Sequence, residues 1–342
     1  MTIKPGALRF NTDSMKLEIF RGSANYEGTA SMAGIGTLAA GQWEEIVAYD
    51  YFNRGQGGRG IFAGGNPFTN IMDYITISST GNAVDFGDLT QAKSGMGGVS
   101  SSTRGVFGNG ETPTVINVME YITIASTGNG QDFGDLLKAG HSPGPVSNST
   151  RGIFCGGGTP SQYNDINFIT ISTLGNAADF GNLTAARRRA SAGNNAIRGI
   201  IFGGAGSDTT IDYVTIATVG DAIDFGDMFT GGYSGQCGNV ATRTRAFSLG
   251  GYYAPTYANH ISWVTIMTKG NSVDFANLTE AKGNSGGASN GTRGIRAGGG
   301  PSPYSNVIDF FELEQVGNAV DFGDLTRSHD QLAGVSDSHG GL

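Results

Sequence analysis

Cysteine is scarce in this chain: there are two, Cys155 and Cys237. That excludes a disulfide-stapled scaffold, and both are read as free thiols in a reducing environment during folding. Charge is sparse too, at 15% of residues, and basic residues are in deficit, 21 Lys and Arg against 29 Asp and Glu, for a net charge of −8. A protein held on phosphates carries a basic excess, so no nucleic-acid partner is expected. The one basic run, Arg187-Arg188-Arg189, reads as a solvated turn. No apolar run approaches the ~20 residues of a membrane span. The opening MTIKPGALRFNTDS lacks the apolar segment of a signal peptide, so no membrane insertion is expected. Histidine is limited to His141, His260, His329 and His339, none at metal-ligand spacing. The GxSxG strings at 140–144 and 283–287 read as strand turns, since neither leads into a helix as a nucleophile elbow does, and no Gly-rich turn opens a helix. No catalytic set, metal or cofactor is expected.

Glycine is abundant, at 58 residues without a G-x-y period, which excludes collagen. The glycines sit in short runs between apolar stretches, the pattern of many short strands joined by tight turns. A repeat organises them. Its anchor is an Asp-Phe pair, at Asp85, Asp132, Asp179, Asp224, Asp274 and Asp321. Eleven positions before each Asp stands an aromatic: Tyr74, Tyr121, Phe168, Tyr213, Trp263 and Phe310. A second anchor is an Arg before an apolar run, at Arg59, Arg104, Arg151, Arg198, Arg245 and Arg293. From Asp85 to Asp132 the unit is 47 residues long, and its length varies chiefly between the Gly run after the Arg and the aromatic.

Each unit reads as four antiparallel strands: a (as in GGVS), b (RGIFAGG), c (YITI) and d (AVDFGDL). That is one blade of a β-propeller. The array begins on a strand b at Arg59 and ends on a strand a at Leu332 to Ser336. Pairing that last strand with the first blade closes a ring of six without capping units. The expected fold is therefore all-β: a six-bladed propeller over 53–342 after a small module over 1–52.

The Gly64-Gly65 pair, Tyr74 and Phe86 give the unit a resemblance to the kelch repeat. Two departures stand out. Strand d carries Phe where kelch repeats have Trp, and the repeated Arg sits at the a–b turn, with Lys93 and Arg187 near the family's usual Arg position. The N-terminal PGALRFNTDSMKLEIFRG with the later GQWEEI is similar to a β-hairpin module of bacteriophage tail-fibre and other virion proteins. Residues 22–41, rich in Gly, Ala, Ser and Thr, read as an ordered loop or linker.

Six Asp-x-x-Asp/Asn pairs recur, as in Asp85/Asp88, but each supplies too few oxygens for Ca²⁺. The first Asp is expected to bond turn amides or to pair with the repeated Arg. Recognition is expected instead on the variable b–c loops, which carry Phe68, Tyr163, Tyr252, Tyr253, Tyr257 and Tyr304 on one rim. These aromatics either contact a sugar or protein, or pack their own loops or a neighbouring subunit. The resemblances imply a non-enzymatic virion protein, assembled in the host cytoplasm: a tail, neck or head fibre or a receptor-binding component. Its module would join other virion proteins, its rim would meet a host surface glycan or protein, and a homo-oligomer, such as a trimer, is expected. The alternative is a bacterial lectin-like or protein-interaction propeller.

Overall fold

The structure, a computed structural model, describes residues 8–11, 16–21, 42–45, 58–205, 208–229, 239–253 and 255–342. The chain divides into two compact units, Met1–Asn53 and Arg54–Leu342. The first contains an antiparallel sheet of order β1-β2-β3, from β1 (Leu8–Asn11), β2 (Lys16–Arg21) and β3 (Gln42–Glu45). Phe10 is in register with Leu17 in the first pairing and Phe20 with Trp43 in the second. The stretch 22–41, read above as a loop or linker, lies outside the described residues.

The second unit is a six-bladed β-propeller. Blade one holds β4 (Arg59–Ala63), β5 (Thr69–Thr76) and β6 (Val84–Lys93). Blade two holds β7 (Gly97–Ser100), β8 (Arg104–Gly108), β9 (Ile116–Thr123) and β10 (Gln131–Gly140). Blade three holds β11 (Gly144–Ser147), β12 (Arg151–Gly158), β13 (Gln162–Thr170) and β14 (Ala178–Asn182). Blade four holds β15 (Ser191–Asn194), β16 (Arg198–Gly204), β17 (Asp208–Thr215) and β18 (Ile223–Asp227). Blade five holds β19 (Arg245–Tyr253), β20 (Thr256–Thr265) and β21 (Val273–Asn277), with Ala241 bridging Ala246 at its inner edge. Blade six holds β22 (Gly286–Ser289), β23 (Arg293–Gly299), β24 (Ser305–Glu312) and β25 (Val320–Asp324). The last strand, β26 (Ala333–Ser336), pairs antiparallel with β4, Ala333 against Ala63 through Ser336 against Gly60. It is the missing strand a of blade one, and it closes the ring.

Six apolar clusters fill the spaces between neighbouring blades. Between blades one and two, Ile61, Met72, Phe86 and Leu89 meet Phe107, Ile122 and Ile124. A bulge that leaves Phe86 unpaired between Asp85 and Gly87 breaks the alternation of β6 and decides which of its side chains reach these clusters. In β6 the burial pattern puts Phe86 and Leu89 inside and Val84 and Asp85 outside.

A strand d lies at the outer edge of every blade, where free N–H and C=O groups invite aggregation. Here the c–d turn of the next blade covers that edge. Gly128 N–H donates to Phe86 O at 2.8 Å, Gly130 N–H to Asp88 O at 2.8 Å, and Asp88 N–H to Asn129 Oδ1 at 3.1 Å. The same set recurs at the closure, where Gly81 and Ala83 N–H reach Phe322 and Asp324 O at 2.8 Å. A c–d hairpin that must fit its neighbour cannot change length, which accounts for the invariant eleven-residue spacing. It also accounts for glycine after Asp-Phe. Gly87 has φ +140°, and a Cβ there would lie 2.5 Å from Gly128 O. Blade five alone has alanine, Ala276, at this position.

The repeated Arg bonds differently from the sequence expectation. Each guanidinium lies over the strand-c aromatic of its own blade, 4.2 to 4.7 Å from the ring centroid. Each Nη1 donates to a carbonyl just past strand c of the next blade: Arg104 to Ile171 at 2.9 Å, Arg151 to Ile216 at 2.9 Å, and so round to Arg293, which reaches Ser78 at 3.0 Å. The repeated Asp, as at Asp85 and Asp132, is exposed. The carbonyls win because strand c ends with oxygens that no ladder partner takes, whereas the Asp side chain points outward into water.

Candidate functional site

Antiparallel connections place the b–c loops and d–a segments at one end of the ring and the a–b and c–d turns at the other. The second end is committed to the inter-blade bonds just described. The candidate recognition residues share the first end.

Phe68 is 43% exposed at the tip of the first b–c loop. Tyr304, half-buried, accepts at its hydroxyl from Asn66 Nδ2 at 2.9 Å, joining blade six to blade one. Tyr163, half-buried, contacts Asn109 of blade two at 3.2 Å and carries the Lys138 ammonium 5.5 Å from its ring centroid. Burial pushes the Tyr163 phenol up to about 12, so it remains protonated at neutral pH. Tyr252 and Tyr257 face each other edge-on across the β19–β20 hairpin, centroids 5.1 Å apart. Tyr253 belongs to β19, and its side chain lies outside the described residues. Four of the rim tyrosines therefore serve packing or inter-blade bonding, and among the described rim aromatics Phe68 offers an open apolar surface.

Under the rim lies a set of buried polar contacts that sequence reading missed. The residue before each strand-c aromatic is Asp73, Glu120, Asn167, Asp212, Ser262 or Asp309, and all six are buried. Five accept from, or pair with, the end of the preceding blade's strand d or the segment after it. Thr326 N–H and Oγ1 donate to Asp73 at 2.9 and 2.8 Å, and Leu137 N–H donates to Asn167 Oδ1 at 3.0 Å. Lys93 pairs with Glu120 at 2.6 Å, both side chains within 1% of full burial. Arg187 pairs with Asp212, and Arg296, of the same blade, with Asp309; all four side chains are fully buried. Burial lowers the Lys93 ammonium, against the pull of Glu120. Burial also raises the Asp73 carboxyl, which meets two donors and no buried cation. Arg187 is thus the opposite of a solvated turn residue. Within Arg187-Arg188-Arg189, its side chain reaches the acid of blade four.

Two Ser–His pairs invite an enzymatic reading, and their hydrogen bonds argue against it. His141 Nδ1 lies 2.9 Å from Ser142 Oγ, while its Nε2 faces Arg188 Nη1 at 2.9 Å. Guanidinium only donates, so Nε2 accepts and Nδ1 carries the proton; it cannot take one from Ser142. His339 Nε2 lies 3.3 Å from Ser147 Oγ and 3.1 Å from Ser100 O, while its Nδ1 accepts from Gly341 N–H at 3.1 Å. There the proton sits on Nε2, again facing the serine. Both rings are held near pKa 4, His141 by burial and then the Arg188 and Arg189 charges, His339 by burial. Among the described residues no three His, Cys, Asp or Glu side chains gather as a metal site requires. Cys155 is a buried free thiol pushed up by burial, and Cys237 lies outside the described residues.

No protein-family model matches the chain, and no curated protein matches it either.

Proposed function

We propose that this chain is a non-enzymatic structural component of a bacteriophage particle, a tail, neck or head fibre or a receptor-binding part, that displays a kelch-like propeller. The N-terminal module would attach it to other virion proteins or to sister chains, with the b–c rim turned outward to a host surface glycan or protein. One observation carries this reading: variation is confined to the face whose loops are spared the repeated inter-blade bonds. A rigid ring with one adjustable face suits display and recognition. The module's likeness to virion hairpins supplies the setting, and the Gly-Gly pairs with positive φ, as at Gly64 and Gly65, support the kelch-like comparison. The wrong-tautomer Ser–His pairs favour binding over hydrolysis. Mass spectrometry and cryo-electron microscopy of purified particles from the source test it. The chain is expected at fixed stoichiometry with its propeller outward; particles that lack it would refute the proposal.

A bacterial lectin-like propeller is the second reading, favoured by the open ring of Phe68 beside the Asn66–Tyr304 pair. Tight glycan-array binding by the full chain, together with absence from particles, would select it.

A further inference from the structure

The segment after β26 leaves the sheet and fills the axis of the ring at the end where the a–b turns lie. Its contacts reach around the axis. Arg59 N–H donates to Asp337 Oδ1 at 2.9 Å in blade one. His339 Nε2 meets Ser100 O of blade two and Ser147 Oγ of blade three. Gly340 N–H donates to Ala241 O of blade five at 3.1 Å. The two glycines are there because nothing larger fits. A Cβ on Gly340 would lie 2.3 Å from Thr242 O, and one on Gly341 would lie 2.3 Å from Ser147 O.

The walls of this end repeat a hydroxyl-to-carbonyl step between neighbouring inner strands. Ser100 Oγ donates to Ser336 O at 2.7 Å, Ser336 Oγ to Ser289 O at 2.6 Å, and Ser289 Oγ to Ala241 O at 3.2 Å. Asn194 Nδ2 continues the series to Ser147 O. By that pattern Ser147 should bond Ser100 O, but the imidazole of His339 is inserted there. The segment therefore supplies one link of the axial ring itself.

We propose that residues 337–342 are an axial plug that acid releases: protonating His339 unseats the segment from the a–b end while the blades stay folded. The geometry gives the reason. Nδ1 is the ring's acceptor for Gly341 N–H, and a proton there turns that bond into a donor–donor clash. The proton would also add a charge to a ring that is 2% exposed. Among the described residues, no side chain set against it supplies a countercharge. Blade two presents Ser100, blade three Ser147, blade four Asn194, blade five Ala241 and Thr242, and on the same segment the Asp337 carboxylate is engaged by Arg59 N–H. The seated ring holds its pKa near 4 against an ordinary 6.5. The seated state is thus fully favoured above pH 6.5 and weakens as pH falls toward 4. A 2.5-unit difference corresponds to a loss of about 300-fold in the seated-to-released ratio.

Hydrogen exchange on the full chain from pH 7.5 to 4, corrected for intrinsic rate, tests this. Residues 337–342 should lose protection as pH falls below 6.5 while β4 to β25 keep theirs, and His339→Gln, which keeps a donor for Ser100 O, should abolish that pH dependence. Exchange of the His339 ring C–H, followed in the unmodified protein, should titrate between pH 6.5 and 4 in step with the loss of amide protection, and covers the case in which the variant does not fold. The proposal is overturned if the segment stays protected at pH 4, if it opens only together with the blades, or if His339→Gln opens at the same pH.

Discussion

Replacing Arg104 with alanine removes two contacts that each blade repeats. The Nη1 bond to Ile171 O at 2.9 Å links blade two to blade three, and a charged donor on a carbonyl contributes about 1.5–3 kcal/mol. The guanidinium also lies 4.6 Å from the Tyr121 ring centroid, which adds roughly 1 kcal/mol at a half-buried site. The sum is about 3 kcal/mol, or a fall in melting temperature of roughly 6 °C for a unit of this size. Arg104→Lys should recover less than half, because an ammonium on a shorter reach cannot stack on the ring and meet the carbonyl together. Urea denaturation of the three proteins reads the differences, and a double-mutant cycle with Tyr121→Leu should give a coupling of about 1 kcal/mol. A lysine variant as stable as the parent, or an alanine variant within about 0.5 kcal/mol of it, would refute the role given to the Arg ring.

Other outcomes follow from the same contacts. Gly134→Ala places a Cβ 2.5 Å from Gly175 O at φ +135° and should cost about 2 kcal/mol or more in a urea melt, whereas Ala276→Gly should change little. Lys93→Met leaves Glu120 buried without its partner and should cost about 3–5 kcal/mol; the double variant Lys93→Met/Glu120→Met should return to within about 1 kcal/mol of the parent. Global stability should fall as pH drops from 6.5 toward 4, because the unfolded chain takes up protons that buried His339 and His141 refuse. His339 contributes to that fall only until the plug releases, so His339→Gln should flatten the pH dependence of the urea midpoint in part, leaving the share due to His141.

The architecture was legible because its repeats are rigid. The Tyr74-to-Asp85 spacing recurs without insertion, since each c–d hairpin must cover a neighbour's strand d. The order of strands at the chain's two ends then gave the closure of β26 on β4. Partners across blades were less legible. Asp73, Glu120, Asn167, Asp212, Ser262 and Asp309 share the capacity to accept a hydrogen bond but no single residue type, so a search for repeated letters passes over them. Arg187 stands in a basic run that composition assigns to the surface, and only the fold shows the acid it meets. The rim tyrosines were named from loop variability, which locates a face but does not separate the exposed ring of Phe68 from the occupied hydroxyls of Tyr163 and Tyr304. The plug had no repeat to reveal it, because SDSHGGL occurs once.

Ring closure is tested most directly by removing residues 330–342 and adding them back as a peptide. The deletion takes away β26 with the buried Leu332, Ala333 and Val335, and exposes the inner edge of β4. At about 1.5–3 kcal/mol for each larger apolar side chain, plus the ladder bonds, the loss is comparable with the whole stability of a domain. A closed ring requires the truncated chain to lose its cooperative urea transition, and the peptide to restore it with saturable binding. A truncated chain that melts like the parent, indifferent to the peptide, would contradict closure by β26.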